Sequence, residues 1–178
     1  MANTHGYINT THCAAWDVDA YTCAGVASGD LDNGVFVTLG TMNVDGAALN
    51  IEGYEFNVTA AGDTATTVWV VDTPEVGNTL EMQLMADPRY FYNIAGKPMT
   101  LRYLVPKVDC IEVDAGCFVD GTMPTTTNNI VTIGAGGKLV AGTVTPTDGK
   151  VYFTLEGFHK VSVGMVDIPT AVLRIQAN

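Results

Sequence analysis

Three histidines and four cysteines are the side chains with the widest chemical repertoire in this sequence. In chain order they are His5, His12, Cys13, Cys23, Cys110, Cys117 and His159. Structural zinc sites favour ligands only a few residues apart, but nine residues separate the first two cysteines and six separate the last two. This spacing lacks a zinc knuckle, so we predict no metal site. Four cysteines could form disulfides in three ways, but in a reducing cytosol free, buried thiols are favoured.

Two glycine-containing segments can be compared with catalytic motifs. Ala27-Ser28-Gly29 lacks the first glycine of a GxSxG nucleophile elbow. The segment 134–138, Gly-Ala-Gly-Gly-Lys, resembles a phosphate loop, but Thr132 and Leu139 stand where that motif needs glycine and a magnesium-binding hydroxyl. The first segment therefore gives no hydrolase signal, and the second predicts a glycine-rich β-turn and no nucleotide cofactor.

Paired carboxylates are the remaining candidates for acid–base or calcium chemistry. They are Asp17 with Asp19, Asp30 with Asp32, and the group Asp109, Glu112 and Asp114. Carboxylates two residues apart on a strand share a face and can bind a cation or exchange protons. The segment 30–34 lacks the ligand order of an EF-hand. We therefore favour a solvated acidic face and predict no catalytic residue, metal ligand or cofactor.

Aromatic side chains supply the candidate interface. A subunit interface or a sugar platform uses exposed rings, whereas Trp69 lies in an apolar run and is expected in the core. For Tyr90, Phe91 and Tyr92, a role in the core or in a subunit interface is preferred to a sugar platform. The candidate interface residues are Trp16, Tyr21, Tyr90, Phe91 and Tyr92.

The elements that must position these residues are predicted to be β-strands. Runs rich in Val, Thr and aromatic residues favour a pleated, half-buried surface, and the run 170–175 alternates, with Ala171, Leu173 and Ile175 on one side. The predicted strands cover 35–39, 67–71, 99–104, 130–133, 139–144, 151–155 and 170–175.

Turn signals separate these strands. They are Asn33-Gly34, Asp45-Gly46, Asp120-Gly121 and Asp148-Gly149, each pairing glycine with a residue that tolerates positive φ. The last lies between two predicted strands and so predicts a hairpin. We expect an all-β fold, an antiparallel sandwich or barrel with at most one short helix, which would begin at Asp87-Pro88.

The chain of 178 residues is long enough for one domain or two small ones. Residues 1–28 are irregular in composition, which fits either a first strand or an N-terminal arm that orders on a neighbouring subunit. Residues 29–178 form the β-rich domain, and the polar loop 123–129 could divide it into two small lobes.

Charge excludes two classes of partner. Only 8 Lys and Arg stand against 19 Asp and Glu, for a net charge of -11. A nucleic-acid binder needs a basic stripe, and an anionic membrane surface attracts cations, so we expect neither partner. The N-terminus has no basic and apolar leader pattern, so we expect the protein to stay in the cytosol of the cell that makes it.

The order of several segments resembles a known family. These segments are 31–40, 92–98, 101–104, 109–113, 136–139 and 171–175. In this order they resemble the capsid decoration (auxiliary head) proteins of tailed bacteriophages, over residues from about 30 onward.

The resemblance implies a β-rich, non-enzymatic virion protein. Such a protein would bind the major capsid protein lattice on the outer surface of the expanded shell and stabilise it. It would be a homo-oligomer, with a trimer favoured, assembled in the host cytoplasm and located on the capsid surface. The alternative is a β-sandwich module that binds carbohydrate or a cell surface.

Overall fold

The computed structural model describes residues 5–13, 19–43, 55–75, 80, 90–163 and 166–178. Strands make up 49% of these described residues, and no helix among them reaches seven residues. The all-β prediction is therefore confirmed. The predicted helix start at Asp87-Pro88 and the turn at Asp45-Gly46 lie outside the described residues.

Five strands close into a small barrel. The barrel strands are β2 (Thr22–Ala27), β3 (Phe36–Asn43), β4 (Glu55–Ala60), β5 (Trp69–Val71) and β6 (Pro98–Tyr103), in the spatial order β2-β4-β3-β5-β6. The β2–β4 pair is parallel and the other pairs are antiparallel. Inside, Val37, Val71 and Leu101 are buried. Gly25 leaves room for them, since a Cβ there would lie 2.6 Å from Leu101 Cδ1.

The remaining strands form a six-stranded antiparallel sheet. They are β1 (Ile8–Asn9), β7 (Cys110–Val113), β8 (Ile130–Ile133), β9 (Leu139–Gly142), β10 (Tyr152–Val163) and β11 (Val166–Ala177), in the order β1-β7-β11-β10-β8-β9. The predicted alternation of the last strand is confirmed, because Ala171, Leu173 and Ile175 are fully buried while Val172 and Arg174 are partly exposed.

One apolar core joins the barrel to the sheet. Phe36 and Val70, on the outer side of barrel strands, pack with Phe153, Ile111 and Leu173 of the sheet. The rings of Phe36 and Phe153 are both fully buried, with centroids 5.3 Å apart. Burial of these large apolar side chains between the barrel and the sheet stabilises the packing of one against the other.

The predicted hairpin at Asp148-Gly149 is wrong, although the turn itself is present. Both residues adopt positive φ, 68° and 70°. However, β8 lies between β9 and β10, so the strands on either side of this turn are not partners. A hairpin does form between β8 and β9. Its turn is the glycine-rich segment 134–138, which was predicted to be a turn.

The N-terminal residues are part of both sheets. Ile8 pairs with Val113 at the edge of the six-stranded sheet. The strand β2 lies between β4 and β6 and completes the barrel. Removal of residues 1–28 would therefore open the barrel, so such a deletion tests folding before it tests any arm.

Candidate functional site

The hairpin formed by β10 and β11 is longer than the sheet that supports it. The two strands pair along their whole length, from Tyr152 with Ala177 to Val163 with Val166. In contrast, β8 pairs only with residues 152–154 of β10, and β7 pairs only with residues 171–174 of β11. We define residues 157–163 and 166–170 as the outer half of the hairpin. Among the described residues, no third strand pairs with it.

The two faces of the outer half differ in exposure. On one face, Ile168 and Thr170 are buried, at 3% and 0% exposure, while His159 and Val166 on that face are exposed. On the other face, Phe158 is 56% exposed, and Lys160 and Pro169 are also exposed. This second face continues the core-facing side of β11, because Phe158 pairs with the buried Ala171. The apolar face of the sheet thus extends past the core into solvent.

A shallow groove lies beside this exposed face. It has a volume of about 630 Å³ and is lined by Met123, Phe158, His159, Lys160, Pro169 and Thr170. The Thr170 hydroxyl is buried and has no hydrogen-bond partner. Buried polar groups are nearly always satisfied, so this unpaired hydroxyl is an exception, and it lies beneath the surface of the groove wall.

A buried carboxylate is hydrogen-bonded to His159, one of the residues that line the groove. Glu112 on β7 has a side chain only 4% exposed, and its two oxygens lie 3.1 Å from His12 Nε2 and 3.1 Å from His159 Nδ1. Because a carboxylate only accepts hydrogen bonds, each of these ring nitrogens donates to it. Glu112 therefore ties the N-terminal segment and β10 to β7.

The expectation of a solvated acidic face is wrong for Asp109, Glu112 and Asp114, which are 0%, 3% and 2% exposed. Asp109 accepts a hydrogen bond from the backbone of Val105, and Asp114 accepts from Tyr7 and Gly116. Backbone donors replace the lost water and make burial of these groups possible. Within the described ranges, no group of three His, Cys, Asp or Glu side chains is arranged to hold a metal ion.

The candidate aromatic residues do not form one patch. Tyr21 stacks on Tyr103 with centroids 6.1 Å apart, whereas Tyr92 stacks on His5 at 5.0 Å. These stacks lie near opposite ends of β6, which spans about 17 Å at roughly 3.3 Å per residue. Phe91 is buried at 7% exposure and Tyr90 is 44% exposed. Trp16 lies outside the described residues.

The four cysteines are free thiols, and Cys13 and Cys117 are buried. Burial raises the pKa of Cys13 to about 12 and that of Cys23 to about 11. The pKa of Cys117 is raised well above its usual value, first by burial and then by the charge of Asp114. Thiols that resist ionisation are poor nucleophiles, so these side chains act as packing groups.

Sequence reasoning did not select Met123, Phe158 or Pro169, which line the groove. Their exposure depends on where β7 and β8 end relative to the hairpin. An available signal was the length of the β-rich segment 151–163, which is long for a strand.

No family model, curated protein or solved structure matches this chain. Among the described residues, no helix is long and apolar enough to cross a membrane.

Proposed function

We propose that this chain is a non-enzymatic virion protein that binds the outer surface of a phage capsid and stabilises the shell. The observation that carries the proposal is the outer half of the hairpin, with its exposed Phe158 and adjoining groove. A two-stranded ribbon has little stability of its own in water. Exposed apolar groups on such a ribbon favour burial against a partner.

Many copies of a protein that each bind weakly can together stabilise a shell. Each copy would dock one hairpin, and oligomers of the chain, with a trimer favoured, would engage several capsid subunits at once. Linked sites raise the effective concentration of each contact. A ligand that binds only the expanded lattice stabilises that lattice by its binding free energy.

Carbohydrate or cell-surface binding is the alternative, and the aromatic residues favour it less. A sugar platform needs an exposed ring face, but Phe91 is buried. Tyr21 and Tyr92 each have one ring face against a neighbouring ring. The remaining described candidate, Tyr90, does not make a platform alone.

Sedimentation of the purified protein with capsids that lack it tests the proposal. We expect saturable co-sedimentation with expanded shells and none with unexpanded procapsids. Phe158→Asp should abolish this binding, whereas Val144→Asp, at another exposed apolar residue (76% exposed), should preserve it. Failure of the wild-type protein to bind either particle would overturn the proposal, and a glycan array would then test the alternative.

A further inference from the structure

We infer that the free edge of β10 between Phe158 and Ser162 accepts an extended segment of a partner protein as an added strand, with a carboxylate of that segment opposite Lys160. The proposed function identifies the source of this segment as the capsid protein. The prediction that this edge binds an extended segment does not depend on that source, because it follows from the backbone, the groove and the charges of the hairpin.

The direction of the backbone groups follows from two hydrogen bonds. Leu155 N donates to Asn129 O on the β8 side, and Ile175 N donates to Asp109 O on the β7 side. Backbone groups of alternate residues point to opposite edges of a strand. On β11 the odd-numbered residues therefore point away from β10.

A β-bulge changes this parity on β10. The register shifts between Leu155 and Gly157, which adds one residue to β10. After the bulge, the even-numbered residues point away from β11. The N–H and C=O groups of Phe158, Lys160 and Ser162 therefore point to the free edge, where no described residue pairs with them.

The opposite edge of the hairpin is blocked. Pro169 pairs with Lys160, and its ring nitrogen, which has no hydrogen, points to the free edge of β11. A strand added there would lack a donor in the middle of the ladder. The edge of β10 keeps all of its donors, so it is the edge that can pair.

The groove supplies side-chain selectivity on the same face. Phe158 and Lys160 share the exposed face with Pro169, and Met123 lies beside them in the groove wall. A strand added to an exposed edge gains affinity from main-chain hydrogen bonds and selectivity from pockets for alternate side chains. Apolar side chains two positions either side of the central residue would lie over this groove.

Charge determines which partner fits. No ion pair joins Lys160 to any side chain in the part of the chain that the structure describes. Antiparallel pairing of two copies about this residue would place Lys160 opposite Lys160, and directly opposed like charges are destabilising. Each copy also carries a net charge of -11. A different chain with an acidic residue at the centre is therefore the occupant.

A synthetic peptide tests the edge without any capsid. The probe is acetyl-Thr-Val-Thr-Glu-Thr-Val-Thr-amide, titrated to millimolar concentration into the isotopically labelled full chain and followed by amide NMR. We expect saturable shifts centred on Lys160 and slower hydrogen exchange of the amides of Phe158, Lys160 and Ser162. A titration without shifts at these amides would overturn the inference.

Two proline variants separate the two edges. Ser162→Pro removes an outward donor from the β10 edge and Asp167→Pro removes one from the β11 edge, while both lose the hydrogen bond between Ser162 and Asp167. We expect Ser162→Pro to abolish peptide binding and Asp167→Pro to preserve it. Equal binding by both variants would contradict the inference.

A charge swap keeps the test decisive if a proline variant fails to fold. Lys160→Glu should weaken binding of the glutamate peptide by roughly tenfold and should favour the same peptide with lysine at its centre. Unchanged preference would overturn the inference. Capsid sedimentation tests the proposed function separately from the edge. If the wild-type protein binds shells and Ser162→Pro binds them equally well, the proposed function stands and the β10 edge is refuted as the binding site.

Discussion

The barrel and the outer half of the hairpin differ in whether their strand edges are paired with a neighbouring strand. In the barrel, each of the five strands has two neighbours and the ring of strands is closed, although β3 beyond Val37 pairs only with β4 among the described residues. In the outer half, β10 and β11 pair only with each other among the described residues. Closure removes unpaired edges, whereas an open ribbon offers them to another chain.

Under the proposed function, stability and binding belong to separate parts of one chain. Apolar side chains in the barrel and the shared core are buried, whereas Phe158 keeps more than half of its surface in water. A residue that gains little from folding can be selected for binding. Substitutions should therefore separate into those that change unfolding and those that change docking.

The largest expected effect lies in the shared core. Phe36→Ala should lower the free energy of unfolding by about 3–5 kcal/mol, because it leaves a cavity against Phe153. The matched change Phe158→Ala on the hairpin should cost at most about 0.5 kcal/mol. Urea unfolding of both variants measures the contrast, and equal losses would refute the division between core and docking surface.

Two ion pairs give the next contrast. Arg102, 7% exposed, donates to Asp72, which also accepts from Thr10. Asp72→Ala removes the carboxylate that both Arg102 and Thr10 bond to in a largely buried setting and should cost about 2 kcal/mol. Glu156→Ala removes the partner of the exposed Arg174 at the hairpin and should cost less than about 1 kcal/mol. Thermal unfolding at matched ionic strength compares them, and a larger loss in Glu156→Ala would be the contrary result.

Two adjacent glycines in the β8–β9 turn test the contact between this turn and barrel strand β3. Gly136 and Gly137 both have positive φ, 68° and 72°, so alanine at either costs about 1 kcal/mol in strain. A Cβ at Gly137 would also collide with the backbone oxygen of Phe36, whereas the space around Gly136 is open. Gly137→Ala should therefore be the more destabilising by about 1–3 kcal/mol. Chemical denaturation that ranks the two variants equally would place the turn away from the barrel.

A third glycine tests the same junction from the N-terminal side. Gly34 has a φ of 83°, and a Cβ there would collide with Cys117 Sγ. Gly34→Val should destabilise the fold by about 2 kcal/mol or more, since a β-branched residue is strained at positive φ. A melting temperature equal to that of the wild type would show that this turn does not pack as described.

Alkaline pH gives a smaller effect than the core substitutions and tests the burial of the Cys13 thiol. The folded-state pKa of Cys13 is raised from 9.0 to about 12 by burial, so the folded protein holds a proton that the unfolded chain releases. Stability is therefore intact below pH 9 and falls as pH rises toward 12. At pH 10 this thiol alone should account for a loss of about 1.4 kcal/mol. Cys13→Ala should have a shallower fall than the wild type, and identical slopes would contradict the assignment.

Local patterns predicted much of the fold. All seven predicted strand segments overlap observed strands, and the alternation at 170–175 indicated the buried face correctly. The strands β1, β2, β4 and β7 were not predicted from the sequence. Two of these, β1 and β7, are only two and four residues long, and β2 contains Gly25, which weakens a strand pattern.

The candidate site depended on information that is not local. The burial of Glu112 requires His12 and His159, which lie 100 and 47 residues away in sequence. The exposure of Phe158 depends on where the neighbouring strands stop, and its own apolar character favours the core. The lengths of the neighbouring strands and contacts between residues far apart in the chain therefore determine the site. Neither can be predicted from a short stretch of sequence.

Native-state hydrogen exchange of the isolated protein tests most directly whether β10 keeps an open edge between Phe158 and Ser162, in contrast to the paired ladders of the barrel. Barrel amides should exchange slowly, and within the hairpin His159 and Val161, whose amides point toward β11, should also be protected. The amides of Phe158, Lys160 and Ser162 should exchange rapidly, which would give an alternating pattern along one strand. Uniform protection from Phe158 to Ser162 would show that the edge is already covered and would contradict the account.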